Sequence, residues 1–218
     1  MQIDLKVAQL LSSRLCHDLV GPIGAVNTGL ELMEEDSDDD GAALGLMARS
    51  AAEAIRRLAF FRMAFGLGGA GGGAALNEAR ALAEGYLESG KVTLDWPDHA
   101  DVALGPVPPG AVKVVLNMIL MAAESLPRGG VAELSLNRLD EGLGVGLTAS
   151  GEGAALRQDL ADALAQDGAA AGNALSARNV HAYLAQCLAR DLGARIEHSE
   201  GLSGEIQLAV LFPDVADC

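Results

Sequence analysis

The chain has 218 residues, with 30 Asp and Glu against 15 Lys and Arg and a formal net charge of −15. At roughly 150 residues per domain, that length holds one large domain or two small ones. The acidic balance excludes broad electrostatic binding to nucleic acid, which needs a basic surface to meet phosphates. Aromatic residues are 3% of the chain, too few for a platform on which single-stranded bases stack. The longest nearly unbroken apolar stretch, Val114 to Ala123, is interrupted by Asn117 and is too short to span a bilayer. Asp4 and Lys6 break up the start of the chain, so no secretory signal is expected. Cys16, Cys187 and Cys218 have no metal-ligand spacing and read as reduced thiols of a cytoplasmic protein that engages neither membrane nor nucleic acid.

From the N-terminus, residues 3–33 carry Leu11, Leu15, Leu19, Ile23, Val26, Leu30 and Met33 three or four apart, the stripe of an amphipathic helix. Pro22 lies inside it and predicts a kink, because proline offers no donor to the carbonyl of Asp18. The run Glu34 to Gly41 has no apolar residue and reads as a solvated loop. Residues 42–65 form a second helix with Leu44, Met47, Ala51, Ala54, Leu58, Phe61 and Phe65 as its stripe. Two such helices make an antiparallel hairpin that cannot cover both stripes alone. A homodimer whose hairpins form a four-helix bundle is the economical solution.

Six glycines in the eight positions from Gly66 to Gly73 lack the Lys-Ser/Thr of a phosphate loop and read as a linker, giving a domain over 1–66, a linker over 67–75 and a domain over 76–218. In that last stretch, helices are expected at 77–88, 110–126, 154–166 and 175–192. Strands are expected at Lys91–Trp96, Val131–Arg138, Gly144–Ala149, Ala194–His198 and Glu205–Phe212. This order predicts an α+β fold whose C-terminal part is a two-layer α/β sandwich on a mostly antiparallel sheet.

The segment Arg14-Leu15-Cys16-His17-Asp18-Leu19-Val20-Gly21-Pro22 carries the chemistry. His17 points away from Leu15 and Leu19 and should be exposed, with the small residues Ser13, Gly21 and Gly24 flanking its face. Val20 and Gly21 stand where a helical metal site would need ligands, and Cys16 diverges from His17 around the helix. A neutral imidazole is nevertheless a nucleophile, and an exposed one can accept a phosphoryl group when a partner brings the metal and carboxylates.

Cys16-His17-Asp18-Leu19 followed by Pro22 resembles the H-box of sensor histidine kinases. The run from Leu10 to Gly66 more closely resembles the ChpT-type histidine phosphotransferases of alphaproteobacterial phosphorelays, through Arg14 to Leu19, Pro22, Asn27-Thr28-Gly29-Leu30-Glu31-Leu32 and Phe60-Phe61-Arg62-Met63-Ala64-Phe65-Gly66. The resemblance extends more loosely over the C-terminal part. It implies a dimer with a degenerate kinase-like domain behind each hairpin, relaying a phosphoryl group from the receiver of a hybrid histidine kinase to response-regulator receivers. On this resemblance His17 is the phosphoacceptor, and Asp18 either bonds and tunes its imidazole or is a solvated acid.

Leu116-Asn117-Met118-Ile119-Leu120-Met121-Ala122 resembles a kinase N-box in which Met121 replaces the second Asn, and a thioether cannot serve a hard cation. Ser150-Gly151-Glu152-Gly153 lacks the Asp of the adenine-reading box, and Ala174 to Asn179 has no glycine cluster. The expectation is a chain that binds no cofactor, with magnesium held by the partner receiver. A divergent kinase that still binds ATP and a non-catalytic adaptor are the alternatives. Arg49, Arg56, Arg57 and Arg62 make the second helix locally basic, suited either to an acidic receiver or to solvation. Phe61 suits either a core or a partner anchor. Arg14, Gly21, Gly24, Thr28, Arg56, Arg57 and Phe61 are the candidate partner-contacting positions. His99, His181 and His198 are expected to be structural, and Asp159, Asp162 and Asp167 to lie on a wet helix face.

Overall fold

A computed structural model describes residues 4–34, 40–66, 73–97, 104, 107–166, 174–201 and 204–214. Most of the acidic loop, the glycine-rich stretch from 67 to 72, His99, Asp167 and Cys218 lie outside the described residues. Two long helices, α1 (Leu5–Glu34) and α2 (Asp40–Phe65), open the chain and pack along one another. α1 runs through Pro22 without a break. The α1 residues buried within the chain are Val7, Arg14, Pro22 and Gly29, spaced seven or eight apart. That line runs beside the expected leucine stripe. Gly29 lies on it because α2 comes so close that a Cβ there would stand 2.4 Å from the Met47 side chain.

The expected stripes are therefore only partly covered. Leu11 and Leu15 pack against the core, but Ile23 and Leu30 remain 55% and 51% exposed, together with Val20 at 68%. On α2, Leu44, Ile55 and Leu58 are likewise exposed. Helical spacing predicts which side chains share a face, but it does not say whether the same chain covers that face.

The rest of the chain is α3 (Gly73–Leu87), β1 (Val92–Asp95), α4 (Ala111–Glu124), β2 (Gly130–Leu139), β3 (Gly142–Ser150), α5 (Gln158–Ala165), α6 (Val180–Asp191), β4 (Ile196–Glu200) and β5 (Ile206–Pro213). The five strands run in the order β1-β2-β3-β5-β4, with β1 parallel to β2 and the other pairs antiparallel. Alternate residues, Ala132, Leu134 and Leu136 on β2 and Ile206, Leu208, Val210 and Phe212 on β5, turn into the core. The helices cover that face, giving the two layers expected, and the apolar stretch around Leu116 is the central helix α4, buried on nearly all sides.

Boundaries shift where side chains or packing outcompete local pattern. α3 starts at Gly73, inside the span read as linker, because Ala75, Leu76, Ala79 and Ala83 all bury. α6 starts at Val180 and not at 175. The Asn179 side chain accepts from the Ser176 backbone at 2.8 Å and donates to the carbonyls of Asp159 and Ala174, bonds that compete with helix.

Among the described residues, α2 fastens the hairpin to the C-terminal domain through stacked rings, Arg56 and its last carbonyls. Phe60 stacks on Tyr86 of α3 with centroids 4.3 Å apart, and Phe61 meets the same ring edge-on at 5.6 Å. Arg56 donates to the Gly85 carbonyl and pairs with Glu88, both in or beside α3. The last carbonyls of α2, which have no helical donor of their own, are met from α4: Asn117 donates to Ala64 and Lys113 to Gly66.

Candidate functional site

His17 stands in the middle of α1 with its side chain 87% exposed, as the stripe geometry predicts. Its Nδ1 lies 3.1 Å from Asp18 Oδ1, a contact between neighbours that helix periodicity disfavours. A carboxylate only accepts, so this contact assigns the hydrogen of the neutral ring to Nδ1 and leaves Nε2 as the unprotonated nitrogen. Asp18 is not a solvated acid, since its side chain is only 17% exposed and its second oxygen lies 3.6 Å from Arg14 Nε.

Pro22 contributes from a turn away. It supplies no N–H to the carbonyl of Asp18, and Arg57 donates to that oxygen at 3.0 Å instead, while its other arm pairs with Glu53 at 2.6 Å. Arg57 thus sits at the level of His17, but engaged with the backbone of α1. Arg56 is turned the other way, onto α3, and does not accompany His17. Phe61 is 2% exposed among Phe60, Phe65 and Tyr86, which removes it as a partner anchor. Arg14 is also withdrawn from the surface at 6% exposure, because its side chain reaches Glu124 of α4 and His181 of α6.

Arg14 ends in a polar cluster that sequence reasoning missed. Its guanidinium pairs with Glu124 at the end of α4 and lies 2.9 Å from Nδ1 of His181 on α6. Burial, then Arg14 and Arg157, hold His181 well below its ordinary pKa, so the ring is neutral and accepts from Arg14. Burial pushes the Glu124 carboxyl up, opposed by Arg14 and Arg157. Arg157 also pairs with Asp159, which it holds below the usual carboxylate range. The one signal available in the sequence was a carboxylate, Glu124, closing the apolar run from Met118 to Ala123.

Between α1 and this cluster opens a cleft of about 680 Å³, lined by Ser13, Arg14, His17, Asp18, Glu124, Arg157, Ala177 and Arg178. On the side of His17 further along α1, Gly21 and Gly24 are open, with nothing within 4 Å of an added Cβ, and Thr28 is exposed. Asn117 and Met121 of the N-box-like stretch are both fully buried, and the Asn117 amide is taken by the carbonyls of Ala64 and Lys113. Among the described residues no three His, Cys, Asp or Glu side chains gather as a metal site.

Comparison with known proteins places this geometry. A family model described as the histidine phosphotransferase C-terminal domain matches residues 76–201. The protein phosphotransferase ChpT of Brucella abortus (strain 2308) is 35% identical over 193 residues, 88% of this chain and 89% of the relative. A bacterial phosphotransferase of known structure superimposes with a TM-score of 0.80 at 29% identity, covering 96% of this chain and 98% of the other. The histidine kinase AdeS of Acinetobacter baumannii shares the fold with a TM-score of 0.50 at 13% identity, over 90% of this chain and 97% of that one. The hairpin with its outward histidine, the kinase-like α/β domain behind it and these relatives converge: the chain belongs to the histidine phosphotransferase family and is a phosphotransfer enzyme of a phosphorelay.

Proposed function

We propose that His17 is the phosphoacceptor, taking a phosphoryl group at Nε2 from the aspartyl phosphate of a hybrid-kinase receiver and passing it to the Asp of a response-regulator receiver. The observation that carries this reading is the exposed ring with Nδ1 bonded to Asp18 and Nε2 free. The Nε2 lone pair attacks phosphorus, the P–O bond to the donor carboxylate breaks, and its electron pair leaves with that carboxylate. The ring keeps its Nδ1 hydrogen and gains positive charge, which the Asp18 carboxylate beside it offsets. In the second half the acceptor Asp attacks phosphorus and the N–P electron pair returns to Nε2. No proton leaves the ring in either direction. Each receiver brings its own magnesium.

The kinase-like domain does not fit a nucleotide and its magnesium. Met121 offers sulfur where a hard cation needs oxygen, and the Asn117 amide is committed to α2. The chain acts in the cytoplasm as a homodimer whose exposed rows, Val20, Ile23 and Leu30 on α1 and Leu44, Ile55 and Leu58 on α2, close a four-helix bundle. The open surface at Gly21, Gly24 and Thr28 admits a receiver helix alongside His17. None of the described helices is long and apolar enough to cross a membrane. The test charges a panel of receiver domains with labelled acyl phosphate and mixes each with wild type or His17→Gln. Acid-labile, alkali-stable label on the wild type alone is expected; transfer retained by His17→Gln would refute the assignment.

A further inference from the structure

Arg14 ties the C-terminal domain to the residues beside His17. The Arg14 side chain is buried, and four of its contacts come from the C-terminal domain: the Glu124 carboxylate, His181 Nδ1 at 2.9 Å, and the carbonyls of Arg178 and Ala177 at 3.3 and 3.4 Å. Its Nε faces the other way, toward Asp18 Oδ2 at 3.6 Å. Neither Nε nor Oδ2 has a hydrogen-bond partner among the described residues, and the two face each other as an ion-pair contact. Burying a guanidinium costs several kcal/mol of hydration, on the order of what its ion pair returns, so packing alone gives no reason for a charge here.

We propose that Arg14 is a positioning residue for phosphoryl transfer: clamped by Glu124 and His181, it fixes the Asp18 carboxylate, which in turn sets the tautomer of His17. This rests on His17 being the phosphoacceptor.

The geometry is directional. The guanidinium is planar, and four contacts from one side hold it as a fixed charge and not a mobile one. Asp18 is four residues on from Arg14, so its carboxylate meets Nε from the same face of α1. With Oδ2 drawn toward Nε, Oδ1 is left against His17 Nδ1. Without Arg14, the Asp18 side chain is free to turn to water, and the ring returns toward the tautomer mixture of a free imidazole. The kinase-like domain then has a task that needs no nucleotide, which is to hold the residue that keeps the phosphoacceptor in its reactive form.

The test reads the His17 ring directly. Protein with 15N-labelled histidine is compared by two-bond proton–nitrogen correlation at alkaline pH, where imidazoles are neutral, as wild type, Arg14→Gln and Asp18→Asn. The wild type is expected to show predominantly the Nδ1–H form. Each variant is expected to shift His17 toward the mixture and to slow transfer from a charged receiver about tenfold, the loss of roughly one charge-assisted hydrogen bond. The combined variant is expected to be no slower than Asp18→Asn alone, since both act through one contact. A wild-type tautomer in Arg14→Gln, or multiplying rate losses in the combined variant, would overturn the proposal.

Should Arg14→Gln not fold, Glu124→Gln weakens the clamp without touching Asp18, and it should move the same His17 signals in the same direction by less. An unchanged His17 spectrum in that variant would also overturn the proposal. The spectra need no phosphoryl donor. Label retained by His17→Gln would therefore sink the phosphoacceptor assignment while leaving the hold of Arg14 on Asp18 to be judged by the tautomer.

Discussion

Eleven of the fourteen residues of α4 are buried within the chain, against four of the thirty in α1. The first helix is enclosed by its own sheet and neighbouring helices, whereas the second lies along α2 with an apolar row still facing outward. α4 finds its packing partners within the chain, whereas the apolar row of α1 is the one that the proposed dimer would cover. The hairpin and the domain behind it also differ in their histidines: His181 on α6 is sealed and neutral, while His17 is open to solvent, and Arg14 lies 2.9 Å from the one ring and 3.6 Å from the carboxylate beside the other.

The contrast breaks most sharply at Phe61, the point where the hairpin enters the enclosed core. Phe61→Ala should cost about 3–5 kcal/mol, as a large buried ring does when removed, and urea unfolding would measure it. Ile55, 66% exposed six residues earlier on α2, should behave in the opposite way. Ile55→Glu should leave urea stability of the isolated chain nearly unchanged. It should weaken self-association by about 2 kcal/mol for each apolar side chain lost from the bundle, read by sedimentation equilibrium. If Ile55→Glu remained as strongly dimeric as wild type, the outward row would have another use.

The smallest of the three effects belongs to His181. Its pKa in the fold lies well below that of the unfolded chain, so between the two values the unfolded state binds the extra proton. Stability should therefore fall as pH drops below about 6.5, by at most about 1.4 kcal/mol per pH unit. Glu124, pushed up by burial, works in the opposite sense: its contribution is present at low pH and is lost as pH rises through its raised pKa. His181→Gln should abolish the acid-side loss and leave the Glu124 trend visible. A wild-type pH profile in that variant would place the charging event elsewhere.

Much of this was legible in the sequence where the physics is local. Strand alternation located β2 and β5 to within one residue at each end, and the face of His17 followed from the positions of Leu15 and Leu19. What escaped were contacts between residues far apart in the chain. Arg14 sits in the same motif as His17 and looks like a surface arginine there, because Glu124 and His181 lie more than a hundred positions away. The pairing of Arg57 with the Asp18 carbonyl was half-visible: Pro22 announces an orphaned acceptor, but only the helix crossing says which donor fills it. The leucines of α1 misled in another way, since their spacing is that of a buried face and the line that the chain itself buries runs through Arg14, Pro22 and Gly29.

The bonds from α4 to the end of α2 have a mechanical consequence. Asn117 and Lys113 hold the Ala64 and Gly66 carbonyls, while the stacked rings of Phe60 and Tyr86 act as a second rivet beside them. Under the proposed function, a receiver pressing on α1 at the level of His17 loads the five-stranded sheet through α4, and the hairpin behaves as a bracket bolted to a plate. Such a mounting resists the swing that a domain ferrying a ligand to His17 would have to make. On that reading, the lever arm of the hairpin is spent on holding one imidazole still.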